Sequence, residues 1–409
     1  MSEINKRVAT DATLKEAVDA LNLIAVAQAG AINVLSEKAI QQIVRAGLAA
    51  RYFAYGEQVT EKWKQDDDHE YDYEQDVVAF HDVETALGET KPGLWLQSHW
   101  GLPGIQFDAA EALMYAVQAV AAGTSFHFTT SATLNDVPAG TYQFTLAEGL
   151  PAGGQATLVK NGTAWRIVTY SGPSSTTAIE TVGCIAGSGG TDLGDIQSVS
   201  NTLMQVGKKA SELPSGATVV VNHGSCTQHG YNRWSQSAIR QWLNSDAAIG
   251  AWWSAQNVFD RPPTQLATMR GFLAGLPADF LAIVQPVKVV TALNTVTDGG
   301  GNETTYDRFF LPSLEQEYIA PQVSGAEGAY WPYWKERLGL TSPQAQGTGG
   351  ANAKHIRYAI ENHTSSQHVR LRSAYRGDVH GAWFVHASGN AGSYIATNVY
   401  RPAPACVIC

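Results

Sequence analysis

Hydrophobic and polar positions alternate along residues 378–387, DVHGAWFVHA. Val379, Gly381, Trp383, Val385 and Ala387 fall on one side, and Asp378, His380, Phe384 and His386 on the other. That period of two predicts a β-strand. The first set suits a core. The second mixes an acid, imidazoles and a large ring, which suits neither a core nor an ordinary solvated face. Short strand-like runs bounded by Gly, Pro and Asn recur between residues 77 and 195: VVAFHDVE, TSFHFTTSATL, GTYQFTLAEGL, GQATLVKNG, TAWRIVTYSG and TAIETVGCIAG. LPAGGQA and KNGTA read as hairpin turns, because Gly and Asn accept positive φ. Together these runs predict a small β-sandwich.

Near the start of the chain the period lengthens. Leu14, Val18, Leu21, Ala25, Ile32 and Leu35 follow a spacing of four and three, the seam of a helical bundle or short coiled coil. Ser36 before Glu37 restarts a second helix, with Ile40, Ile43, Val44 and Leu48 inside. This region is either a helical hairpin packed on its own domain or an oligomerising, anchoring segment. Residues 231–254 read as helix, with Trp234, Ala238, Trp242 and Leu243 on one face and Ile239 beside them. FLAGLPADFLAIVQPVKVVTALNT passes from helix to strand, and residues 295–313 read as a strand, a glycine loop and a return strand. The acidic run QDDDHEYDYEQD, 65–76, reads as part of a domain boundary, and GSGGTDLG, 187–194, as a linker. The organisation predicted is α+β, β-rich and multidomain: N-terminal helices over 1–65 that anchor or oligomerise, a sandwich over 66–195, and a ligand-binding domain over 196–409.

Composition narrows the function. Hydrophobic residues make up 44% of the chain and charged residues only 16%, with 39 Gly and 11 Trp. Such a chain has apolar material for packed cores and does not read as disordered. A net charge of −10 without a basic stripe argues against nucleic acid as a partner. The first twenty residues hold no apolar run of signal-peptide type, and no stretch approaches the roughly 18 apolar residues of a membrane helix. The expectation is a protein made in a cytoplasm and not inserted in a membrane. Four cysteines are too few for a disulfide scaffold of this size.

Several motifs in the second half carry a resemblance. They are Trp234-Ser235-x-Ser237-x-Ile239-Arg240-x-Trp242-Leu243-Asn244, Asp307-Arg308-Phe309-Phe310-Leu311-Pro312-Ser313 and Leu371-Arg372-Ser373. Gly381-Ala382-Trp383, Ser388-Gly389 and Pro404-Ala405-Cys406-Val407-Ile408 complete the set. As a set they resemble a domain of gut bacteria and their phages that looks like the C-type lectin fold. In phages and prophages such domains are similar to the variable proteins of diversity-generating retroelements. The resemblance covers roughly the last half of the chain. It implies a receptor-binding virion protein, whose substituted positions on a fixed scaffold contact a host cell-surface protein or glycan. The N-terminal helices would then attach to other virion proteins or form a homo-oligomer, expected as a trimer.

The residues support a binding face independently. Tyr375, Arg376, Asp378, His380, Phe384, His386, Asn390, Tyr394, Thr397, Asn398 and Tyr400 interleave with apolar Val379, Trp383, Val385, Ile395 and Val399. Rings give contact area at low entropic cost, and small polar groups give adaptable hydrogen bonds. The expectation is that the first group is displayed and the second buried, with ENHTSSQH, 361–368, as a neighbouring loop. The alternative is an ordinary solvated sheet face. Arg240, Trp242 and Arg372 read as scaffold, with Asp307 or Glu315 as a partner for Arg372.

Other chemistries are weaker. His223, Cys226 and His229 stand three residues apart, which could suit zinc, but no fourth ligand is evident and no metal is expected. Cys406 and Cys409 resemble a redox pair in spacing only. No nucleophile elbow, paired-carboxylate signature or cofactor motif is found, so an enzyme on the same fold, a calcium-dependent lectin and a particle protein without receptor remain the rivals.

Overall fold

The computed structural model describes residues 32, 35–130, 136–196, 218–222 and 225–409. The fold is β-rich, with several small sheets and few helices. Ser36 caps a helix over Glu37–Arg45, its hydroxyl accepting from Ala39 N. Ile40, Ile43 and Val44 are buried as their spacing requires, while Leu48 lies beyond the helix and is partly exposed. Leu14, Val18, Leu21 and Ala25 of the N-terminal seam lie outside the described residues; Ile32 and Leu35 are buried.

The sandwich is two facing sheets. One runs Ala178–Gly183, Ala164–Tyr170, Gln155–Asn161, Met114–Ala116, Val219–Val221 in spatial order, and the other Ile185–Ala186, Gly140–Thr145, Ser125–Thr130, Thr191–Ile196. Phe126, Phe128 and Phe144 of one meet Leu158, Trp165 and Ile167 of the other in a shared core. Gly162, at φ 62°, helps turn Asn161 back onto Ala164, the hairpin expected at KNGTA.

Residues 187–194 are not a linker. Thr191–Ile196 is a sandwich strand, parallel to Ser125–Thr130. Gly190, at φ 81°, passes so close to Ser125 that a β-carbon there would strike its carbonyl.

Nor is the acidic run a boundary. Gln58–Lys64 pairs with Glu70–Ala79, and Asp66 closes the connecting turn by accepting from Asp68 N at 2.9 Å and His69 N at 2.8 Å. Tyr73 and Gln75 point inward between more exposed Asp72 and Glu74, so Glu70, Asp72 and Glu74 form the outer face of a strand, while Asp76 is buried against His99 and Tyr333. That hairpin continues through Leu94–Ser98, Ala405–Ile408 and Phe309–Phe310 into one five-stranded antiparallel sheet. The breaks expected at 65/66 and 195/196 therefore do not divide the fold. The described residues of 113–196, with 218–222, form the sandwich, while one hydrophobic core gathers side chains from Ile32 to Phe107 and from Trp234 to Cys409. The helix expected over 231–254 is also shorter. It comprises a 3-10 turn at Trp234–Gln236 and a helix over Ala238–Leu243, capped by Ser237.

The two regions meet through polar contacts. Arg261 donates to Gln155 Oε1 at 2.9 Å and to the carbonyls of Gly172, Pro173 and Ser175, with its guanidinium 3.5 Å from the Tyr170 ring centroid. A second sheet carries the candidate face: Ala391–Ile395, Gly381–Val385, Val369–Ala374, Val399–Pro402 and Ile105–Gln106 in spatial order.

Candidate recognition face

The Gly381–Val385 strand divides its side chains as the alternation predicts. Trp383 and Val385 pack with Leu314, Ile319, Leu371 and Ala391. Phe384 instead enters a cluster of rings. His368 stacks on it at 5.4 Å between centroids, Tyr400 lies 4.7 Å away and His386 6.2 Å. His368 is also 4.2 Å from His386 and 5.0 Å from Tyr400.

Arg370 underlies these rings. It is fully buried, and its guanidinium sits 4.6 Å from the Tyr400 centroid and 6.0 Å from that of Phe384. It donates to the carbonyls of Ala382 at 2.8 Å, Tyr394 at 3.1 Å, Ile395 at 3.0 Å and Asn398 at 3.3 Å. One side chain thus ties its own strand to two others and to the loop that leads to Tyr400. Burial pulls this guanidinium down to about 9, partly offset by Tyr400, so it stays charged at neutral pH.

Around the rings, Tyr394 is 51% exposed, and His386, Asn390, Asn398 and Tyr400 are half-buried. Asn398 Nδ2 donates to the Tyr400 hydroxyl at 3.3 Å. His386 Nδ1 lies 2.8 Å from Ser388 Oγ, which donates to Asn390 Oδ1 at 2.6 Å.

The remaining expected residues gather at the other end of the strand. Asp378 accepts from His380 N at 3.0 Å and from Gly381 N, closing the turn between two strands. Buried Asn232 holds that turn from below, donating its amide to the carbonyls of Tyr375 at 3.2 Å, Asp378 at 3.0 Å and Gly381 at 2.9 Å. Arg376 donates to Gly300 O. His380 Nδ1 lies 2.7 Å from Ser225 Oγ, and its ring is 4.9 Å from that of His229. Thr397 N donates to His229 O at 3.1 Å. Burial, and then His380, pull the His229 imidazole down to about 4, so it is neutral at pH 7.

Three expectations change. Phe384 is not displayed: it is 6% exposed, beneath His368 and Tyr400. Val399, expected inside, is 52% exposed at the sheet edge. Arg372 is buried scaffold as read, but its donors go to the carbonyls of Leu311 at 2.9 Å and Val290 at 3.1 Å, to Glu327 O and to Gln316 Oε1. Asp307 accepts instead from Arg240 Nε at 2.7 Å and Trp234 Nε1 at 3.0 Å. Neither Arg370 nor Asn232 is named from the sequence, and His368 enters there only as the end of the neighbouring loop 361–368. The alternation Arg370-Leu371-Arg372 in a strand was the available signal for the first.

His223 lies outside the described residues. Among the described residues, no three His, Cys, Asp or Glu side chains are placed to hold a metal ion. None of the described helices is long and apolar enough to cross a membrane.

Residues 217–408 match a domain of unknown function, DUF6273. The match covers the ring cluster, Arg370, Arg372 and the turn held by Asn232. It leaves out Gln58–Lys64, Glu70–Ala79 and Leu94–Ser98, which complete the central sheet. No curated protein and no solved structure matches the chain.

Proposed function

We propose that this protein is a virion adhesion protein that displays an exchangeable recognition surface on a C-type-lectin-like scaffold. In this reading the ligand is a host cell-surface protein or glycan, and the N-terminal segment joins the protein to other virion proteins or to further copies of itself. The observation that carries it is Arg370. A buried guanidinium bonded to four carbonyls fixes the backbone under Tyr394, Asn398 and Tyr400. Contact residues can then be replaced without the frame moving, and little ordering cost is left for binding. The scaffold reading draws support from the last strand, Ala405–Ile408, which is paired between Leu94–Ser98 and Phe309–Phe310 and so closes a loop-rich segment at its base.

The test is flow cytometry of the fluorescently labelled full-length protein on a panel of gut bacterial strains. The native protein stains at least one strain, and the double variant Tyr394→Ala, His386→Ala lowers that staining about tenfold or more at an unchanged melting temperature. Equal staining by the variant removes this face from recognition.

A further inference from the structure

Away from the ring cluster, a cavity of about 220 Å³ opens between the central sheet and the segment 327–331. Trp95, Phe310 and Trp331 line it. Trp95 lies 5.9 Å from Phe310 and 6.1 Å from Trp331 between centroids. Its polar lining is equally well defined. Trp95 Nε1 is committed to His81 O at 2.9 Å, and Lys288 Nζ to Glu84 at 2.8 Å. The Glu327 carboxylate accepts from Ala292 N and Ser373 Oγ, and Arg372 is spent on carbonyls and Gln316. The charges inside the cavity are therefore already committed, while Asp82 stands exposed at its rim. A charged ligand that went deeper than Asp82 would meet side chains already committed to other partners and lose its hydration there.

Some hydrogen-bonding capacity remains. His81 Nε2 and Arg372 Nε are both buried and have no partner among the described residues. Gln316 uses its oxygen for Arg372 and Ser313, and Gly328, at φ 111°, leaves its Nε2 uncovered: a side chain there would approach to 3.4 Å. Indole and phenyl walls beside neutral polar groups fit a ligand with one apolar face and several hydroxyls. The volume is below the roughly 300–1,000 Å³ typical of drug-sized ligands, which limits the occupant to a single ring.

We propose that this cavity is a second binding site, separate from the recognition face, for one neutral sugar ring. The apolar side of the ring would lie on the tryptophans, and its hydroxyls would meet His81 and Gln316. The proposal does not depend on the receptor-binding reading, since none of these residues belongs to the ring cluster.

The experiment is saturation-transfer NMR and tryptophan fluorescence on the full-length protein, with glucose, galactose, mannose and N-acetylglucosamine as probes and benzoate and benzylamine as charged comparators. At least one sugar binds saturably, with a dissociation constant of about millimolar. Ala329→Trp, which fills the exposed rim of the cavity, weakens that sugar at least tenfold, while Ala329→Ser does not. The absence of saturable binding by all four sugars overturns the proposal. So does undiminished binding in Ala329→Trp at an unchanged melting temperature, or tighter binding of either charged comparator.

Discussion

Arg370 and Arg372 stand two positions apart on one strand, both buried and both bonded mainly to backbone carbonyls, yet they organise unlike regions. Arg370 lies under rings that reach the surface, and its carbonyl partners belong to the strands and loop that carry exposed residues. Arg372 is enclosed, and its partners are the walls of a cavity. A buried guanidinium therefore does not itself announce a site. It immobilises backbone, and what that backbone presents decides the use. Both arginines have their guanidinium pulled down by burial, to about 9 for Arg370 and about 10 for Arg372. Only Arg372 has carboxylates close enough to offset this, with Glu327 the strongest.

The comparison breaks most visibly if either guanidinium is removed. Arg370→Leu and Arg372→Leu should each cost about 3–5 kcal/mol in urea unfolding, because several buried carbonyls lose their donors. A loss below about 1 kcal/mol for either would mean that water or a rearranged backbone replaces it. Arg370→Lys should recover only part of the loss, since one ammonium cannot reach four carbonyls in a fixed fork.

Next in size is the contrast between a buried and a displayed ring. Phe384→Ala should cost about 3–5 kcal/mol, while Tyr394→Ala should change stability by less than about 0.5 kcal/mol. Thermal or urea melts of the two variants check this directly. Equal effects would mean that Tyr394 packs as Phe384 does.

This distinction was only half legible in the sequence. Alternation placed Trp383 and Val385 inside and set Phe384 opposite them, but a period of two gives direction and not depth. Phe384 is buried because His368 and Tyr400, from other strands and loops, close over it. Ser36 as a cap, the KNGTA hairpin and most sandwich strands were legible because each depends on neighbours in the chain. The central sheet was not. Its register sets Cys406 opposite Leu96 and Phe309 opposite Cys406, pairings that no local pattern encodes. The acidic run misled for the same reason: charge density suggested a boundary, although Tyr73 and Gln75 between the acids already marked an inward face.

A smaller effect separates the two regions by pH. Burial, the neighbouring His386 and Arg370 hold the His368 imidazole below its ordinary value. The folded protein therefore favours the neutral ring, and the unfolded chain takes up a proton first as pH falls. Stability contributed by neutral His368 is present above the ordinary histidine range near 6.5 and declines as pH drops through it toward the lowered folded value. His368→Asn should flatten that part of the stability–pH curve, and Ala329→Ser at the cavity rim should leave its shape unchanged. An identical curve for His368→Asn and the native protein would mean that the ring titrates as in free solvent.

Sequencing this gene in many independent isolates bears most directly on the division between fixed frame and exchangeable surface. Substitutions should concentrate at exposed Tyr394 and half-buried His386, Asn398 and Tyr400 around the rings, while Arg370, Asn232 and Trp383 stay constant. Changes spread evenly along the gene, or reaching Arg370 and Trp383 as often as Tyr394, would contradict the account.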